Sequence, residues 1–165
     1  MPIIDSILME LDQEAATTRR VLERVPEASL SWKPHTKSMS LGQLALHVAS
    51  TPGGVAELVT KDVAEVPQFT RPAAKSVAEL LSTLDGGIAG AKRILGKMDD
   101  PFLQATWSLK RGSQTIFSVP RVSMIRTVLL NHWYHHRGQL SVYLRLLDVP
   151  VPSIYGPSAD ENPFG

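Results

Sequence analysis

The chain contains no cysteine. That absence excludes disulfides, thiolate zinc sites and a thiol nucleophile of the protein's own. Any metal must then be held by His, Asp or Glu, and any reacting sulfur must arrive with a ligand. An excess of one charge is also lacking. Seventeen Lys and Arg stand against sixteen Asp and Glu, a formal net charge of +1, and no basic run or stripe occurs. A cationic nucleic-acid surface is therefore not expected. No apolar stretch approaches the ~18 residues of a membrane span. The first residues mix Asp5, Glu10 and Asp12 with apolar positions and lack a basic segment followed by a cleavage site. No secretory signal is expected, and the cytoplasm is the expected compartment.

What is present is enough for a packed core. Hydrophobic residues make up 43% of the 165 and charged residues 20%, a balance that places the chain among globular rather than disordered sequences. One domain, residues 1–165, is expected. Four amphipathic helices are readable. The first runs from residue 3 to about 24, with Ile4, Ile7, Leu8, Leu11, Ala15, Thr18 and Leu22 at helical spacing and Pro26 as its stop. Ser40 is placed to cap a second helix, whose apolar face is Leu41, Leu44, His47/Val48, Val55 and Leu58. Pro52, followed by Gly53 and Gly54, predicts a kink or restart one turn beyond His47.

A crossover over residues 61–75 leads to Ser76 and Glu79, spaced as a capping box. The third helix then repeats Val77, Leu81, Leu84, Ile88, Ala91, Leu95 and Met98 in 4-3 steps. Gly86, Gly87 and Gly90 in its middle would let a neighbouring helix approach. Residues 105–119 suggest a small hairpin turning at Gly112. A last helix of about 28 residues, capped at Ser118 with Pro120 in its first turn, reaches Leu147. The proline-rich tail carries Ile154, Tyr155 and Phe164 and is expected to pack on the helices. With no βαβ alternation, the expected class is an all-α bundle, with a small β-hairpin before the last helix as the one departure.

The functional signal is histidine. His132 and His136 stand at i and i+4, about 40° apart and one turn along a helix, so both imidazoles leave the same face. The stripe Val122, Ile125, Leu129, His132, His136, Tyr143 and Leu147 puts them in a buried seam, where neutral imidazoles need partners. His47 borders the apolar face of the second helix. Read together, His47, His132 and His136 are candidate ligands of one metal ion; a hydrogen-bonded core histidine is the plainer account of His47 alone. His135 falls off the seam and is assigned to the rim, and His35 to an exposed loop.

Several stretches then line up with one family. Trp32-Lys33-Pro34, Leu41-Gly42-Gln43-Leu44-Ala45-Leu46-His47, the run from His132-Trp133-Tyr134 through His136-Arg137-Gly138-Gln139-Leu140, and Val151-Pro152-Ser153-Ile154-Tyr155-Gly156 resemble the DinB-like superfamily (YfiT type), in order over nearly the full length. The resemblance implies a four-helix bundle of up-down-down-up type, often a homodimer, with a divalent metal on three histidines that map onto His47, His132 and His136. Members of known activity include thiol-dependent S-transferases and a thiol-dependent isomerase that use low-molecular-weight thiols such as bacillithiol or mycothiol.

The implied function is a metal-dependent S-transferase acting on a small molecule. Zinc is the first expectation, with nickel, manganese or iron as other ions. A metal-dependent hydrolase and a non-enzymatic metal-binding or interaction protein are the alternatives. Three imidazoles would leave the ion an open position, as catalytic zinc sites do. Gln43 and Gln139 are candidates for orienting the ligands. Arg137 is read as an ion-pair anchor, and Tyr155 as a packing residue within reach of the site.

Overall fold

The computed structural model describes residues 1–68 and 70–165. The chain is mostly helical with a small three-stranded sheet. In order, α1 (Ile3–Leu22) is followed by a 3₁₀ turn (Glu27–Ser29), α2 (Leu41–Leu58), β1 (Val63–Glu65), α3 (Val77–Leu95) and the short α4 (Asp100–Gln104). Then come β2 (Thr106–Arg111), β3 (Gln114–Pro120), α5 (Arg121–Met124), a π-helical segment (Ile125–Asn131) and α6 (His132–Leu146). The last three pieces run on from one another as a single long helix over residues 121–146.

Helix α2 sits at the centre of this arrangement, packed on α3 along one side and on α6 and the π segment along another. Ser40 caps it as expected, and the cap is reciprocal. Ser40 Oγ accepts from the Gln43 amide at 3.2 Å, while Gln43 Oε1 accepts from the Ser40 amide at 2.9 Å. On the other flank a Cβ at Gly53 would lie 3.0 Å from Gly87 Cα, so two glycines let α2 and α3 come together backbone to backbone. Gly86 and Gly90 play no such part; no other helix lies against them.

Pro52 does not interrupt α2, which continues through it to Leu58. The ring removes the amide that would have bonded the Val48 carbonyl. That carbonyl instead accepts from the buried Trp133 Nε1 of α6 at 2.8 Å. The expected break is thus replaced by a bond between helices. At the C-terminal end the orphan carbonyls are met by side chains: Trp107 Nε1 donates to Leu58 at 3.4 Å and Arg121 Nε to Val59 at 2.9 Å. Arg121 is fully buried, yet its guanidinium also reaches the Phe102 carbonyl at 2.6 Å and Asp62 at 2.5 Å.

The hairpin is present but is not alone. Strands β2 and β3 pair antiparallel around Gly112, which adopts φ +58°. A strand from the crossover, β1, adds in parallel to β2, with Val63 opposite Ser108 and Glu65 opposite Lys110. Ser118 lies in β3 beside Ser108, so the last helix starts later than expected, at Arg121 with Pro120 before it. Ser76 caps α3 through the Glu79 amide, but the Glu79 carboxylate takes the Lys75 amide rather than that of Ser76. The tail is ordered against α1 and α6. Glu161 pairs with Arg20 and Arg24, Asp160 pairs with Arg145, and Phe164 at its end remains exposed.

Candidate metal centre

The three histidines predicted as ligands come together. His47, two turns into α2, meets His132 and His136 of the last helix, with one ring nitrogen of each within 4.8 Å of the others. Their ring centroids are 5.2 Å apart for His47 and His132, 4.5 Å for His47 and His136, and 4.4 Å for His132 and His136. Two bonds hold this geometry from below. Trp133, next to His132, donates to the carbonyl of Val48, next to His47, so the interhelical tie lies directly beside the imidazoles. Thr51 Oγ1 donates to the His47 carbonyl at 2.6 Å.

The histidines do not stand in the deep seam assigned to them. The fully buried stripe of α6 is Trp133, Arg137, Leu140 and Leu144, one position round the helix, and His132 and His136 lie on its edge, half-buried. The cause is the π segment just before His132. Its i→i+5 bonding accommodates more residues per turn than an α-helix, so a stripe counted upstream at α spacing arrives offset when α geometry resumes. The shift is what opens the imidazoles to a pocket. A cavity of about 330 Å³ has His47, His132 and His136 on one wall, with Met39, Leu46 and Pro72 among its apolar lining residues.

The electrostatics favour lone pairs over protons. Burial, then the charges of His136, His132 and Arg71, pushes the His47 imidazole down to about 4. His132 is lowered by burial and by His135. His136 is also lowered, burial outweighing the opposing effect of its hydrogen bond to Gln139. Gln139 Oε1 lies 2.7 Å from His136 Nδ1 and can only accept, so Nδ1 carries the proton and Nε2 is left with its lone pair. His47 Nε2 and His132 Nε2 are 2.9 Å apart, within hydrogen-bonding distance. Two nitrogens bound tetrahedrally to one zinc ion at about 2.0–2.1 Å are separated by about 3.3 Å, so a small outward movement of these rings accommodates a shared ion. The donor set is compatible with a divalent metal.

The other candidates fall elsewhere. His135 is exposed beside His136, and His35 is exposed in its loop. Gln43 spends its carbonyl on the cap and its Nε2 on the Arg71 carbonyl at 2.8 Å, holding the crossover rather than a histidine. Arg137 is an anchor, as expected: it is buried, with Glu14 at 2.6 Å and Thr18 Oγ1 at 3.1 Å. Tyr155 joins that anchor, accepting from Arg137 at 2.5 Å and donating to Glu14 at 3.0 Å, and is otherwise exposed. Arg71, which lines the pocket, was not singled out from the sequence; an arginine in a loop carries no periodic signal.

A mostly helical protein with three histidines from two helices facing one pocket is the class that these features define. The chain belongs to the DinB family, whose sequence pattern matches residues 3–162. It is 26% identical over 159 residues to the uncharacterized protein YrdA of Bacillus subtilis strain 168, covering 96% of this chain and 91% of that protein. Its fold is similar to that of a DinB-like protein from Bacillus cereus ATCC 10987, with a TM-score of 0.74 at 20% identity over 93% of this chain and 98% of the other. A second similar structure is the DinB-like protein YjoA of Bacillus subtilis, with a TM-score of 0.69 at 17% identity over 90% and 96% of the two chains.

Proposed function

We propose that His47, His132 and His136 hold one divalent metal ion, zinc in the first instance, and that the protein is a thiol-dependent S-transferase. The observation that carries this reading is the convergence of three neutral imidazoles on the wall of a cavity large enough for a small molecule. When bound, a divalent ion supplies a Lewis-acidic position at which a thiol loses its proton near neutral pH. The chain's own part is to keep the imidazoles unprotonated, to orient His136 through Gln139, and to hold α2 against α6 through Trp133. The sulfur belongs to the ligand, since the chain has no cysteine.

In the transfer, a carbon–sulfur bond forms at the electrophile, the bond to its leaving group breaks with the electron pair, and the thiol proton passes to solvent. Hydrolysis is the alternative reading. A water bound to the same ion would have its pKa lowered, so the two readings share one site and differ in whether a thiol is consumed. The same proposal takes residues 1–165 as one four-helix domain of up-down-down-up type, working as a homodimer in the cytoplasm.

The test is metal content, measured by mass spectrometry on protein prepared without a histidine tag, beside His136→Ala and His135→Ala. The expected result is near one divalent ion per chain, lost in His136→Ala and kept in His135→Ala. Thiol consumption with an electrophile such as 1-chloro-2,4-dinitrobenzene then separates transfer from hydrolysis. Failure to take up Zn²⁺, Ni²⁺, Mn²⁺ or Fe²⁺ would sink the proposal.

A further inference from the structure

The cavity holding the histidines has a second chemical feature on its rim. Arg71 lines it, and its backbone is pinned: the Arg71 carbonyl accepts from Gln43 Nε2 at 2.8 Å, and Gln43 lies one turn before His47 on α2. Among the described residues, the Arg71 guanidinium has no ion pair and no hydrogen bond. Most other arginines are committed, although Arg93 of α3 and Arg111 of β2, which lie away from this cavity, also lack an ion pair among the described residues. Arg19, Arg20, Arg24, Arg121, Arg126, Arg137 and Arg145 are each paired with a carboxylate.

No Asp or Glu stands among the described lining residues to neutralise Arg71, and the neighbouring Ser50 and Thr70 are uncharged. Its charge is felt across the cavity at His47 and His136. An arginine fixed at its backbone, with an uncommitted planar fork facing a half-apolar cavity, is suited to bind a carboxylate through paired N–H donors.

We propose that Arg71 is a specificity-determining residue that binds the carboxylate of the small molecule taken by this cavity, whose other end faces the three histidines. The ligand is thus a carboxylate-bearing thiol rather than a neutral one. This rests on the thiol reading given above for the identity of the second group, while the carboxylate contact stands on Arg71 alone.

The experiment is calorimetric titration of Co²⁺-loaded wild type and Arg71→Gln with 3-mercaptopropionate and with 2-mercaptoethanol. The Arg71 side chain is exposed and makes no hydrogen bond or ion pair among the described residues, so Arg71→Gln is expected to fold and to retain metal. A charge-assisted pair at a partly exposed site predicts that wild type prefers the carboxylated thiol by about tenfold. Arg71→Gln should erase that preference and leave 2-mercaptoethanol binding unchanged. A preference kept in Arg71→Gln, or absent from wild type, overturns the assignment.

Absence of Co²⁺ uptake by wild type counts against the metal proposal instead. Propionate titrated into the metal-free proteins then tests Arg71 by itself: weaker binding in Arg71→Gln supports the assignment, and equal binding overturns it.

Discussion

At the scale of single residues the site works by keeping three imidazoles neutral and one of them correctly turned. Gln139 is exposed, yet it determines which His136 nitrogen bears the proton. Replacing it by Leu should weaken metal binding by about 10- to 100-fold, as loss of an orienting partner commonly does. Competition with a chromophoric chelator measures this, and an unchanged affinity would remove Gln139 from the site.

The protonation of His47 makes a second prediction. Its folded pKa, about 4, lies below the ordinary histidine value of 6.5, so the unfolded chain binds the extra proton first. The metal-free protein therefore has its full stability from this group above about pH 6.5 and loses it as pH falls towards 4. The melting temperature of metal-free wild type should drop more steeply over that window than that of His47→Gln. Equal slopes would show that the imidazole is not held neutral by the fold.

At the scale of elements the decisive joint is the one between α2 and α6. Pro52 withholds an amide from the Val48 carbonyl, and Trp133 supplies the missing donor from the other helix. Trp133→Phe keeps most of the apolar volume but leaves a buried carbonyl unpaired, which costs about 1–3 kcal/mol. In a Pro52→Ala background the restored amide can serve the same carbonyl, so the cost of Trp133→Phe should shrink. A double-mutant cycle by urea unfolding reads this coupling, and strictly additive effects would contradict it.

This joint was not legible in the sequence. Pro52 announced a lost bond, but periodicity cannot say whether a freed carbonyl breaks its helix or recruits a donor from another one. The π segment had the same effect. The stripe from Val122 to Leu147 assumed a uniform 3.6-residue turn, and the i→i+5 stretch moved the buried face on to Trp133, Arg137, Leu140 and Leu144.

At the scale of the molecule the metal is expected to add stability without being needed for folding. Leu11, Leu22, Leu41, Leu44, Leu84, Leu95 and Trp133 belong to one apolar core, while the three histidines are only half-buried. Chelation should leave the far-ultraviolet dichroism of the protein unchanged at 25 °C. Metal at about 100 times its Kd should raise Tm by about 5–10 °C, from roughly 2.7 kcal/mol of linkage. Unfolding on chelation at 25 °C would favour a purely structural ion.

The sequence by itself determined the helices, the hairpin and the three histidines. Those rest on local rules: the period of apolar residues, a serine before a helix, a glycine at a turn, two imidazoles one turn apart. The tertiary structure alone decided that β1 joins the hairpin, that the histidines face a cavity at the edge of the core, and that Arg71 reaches its rim. Each of those depends on contacts between residues far apart in the chain, and no local spacing records which distant backbone or side chain will satisfy a given group.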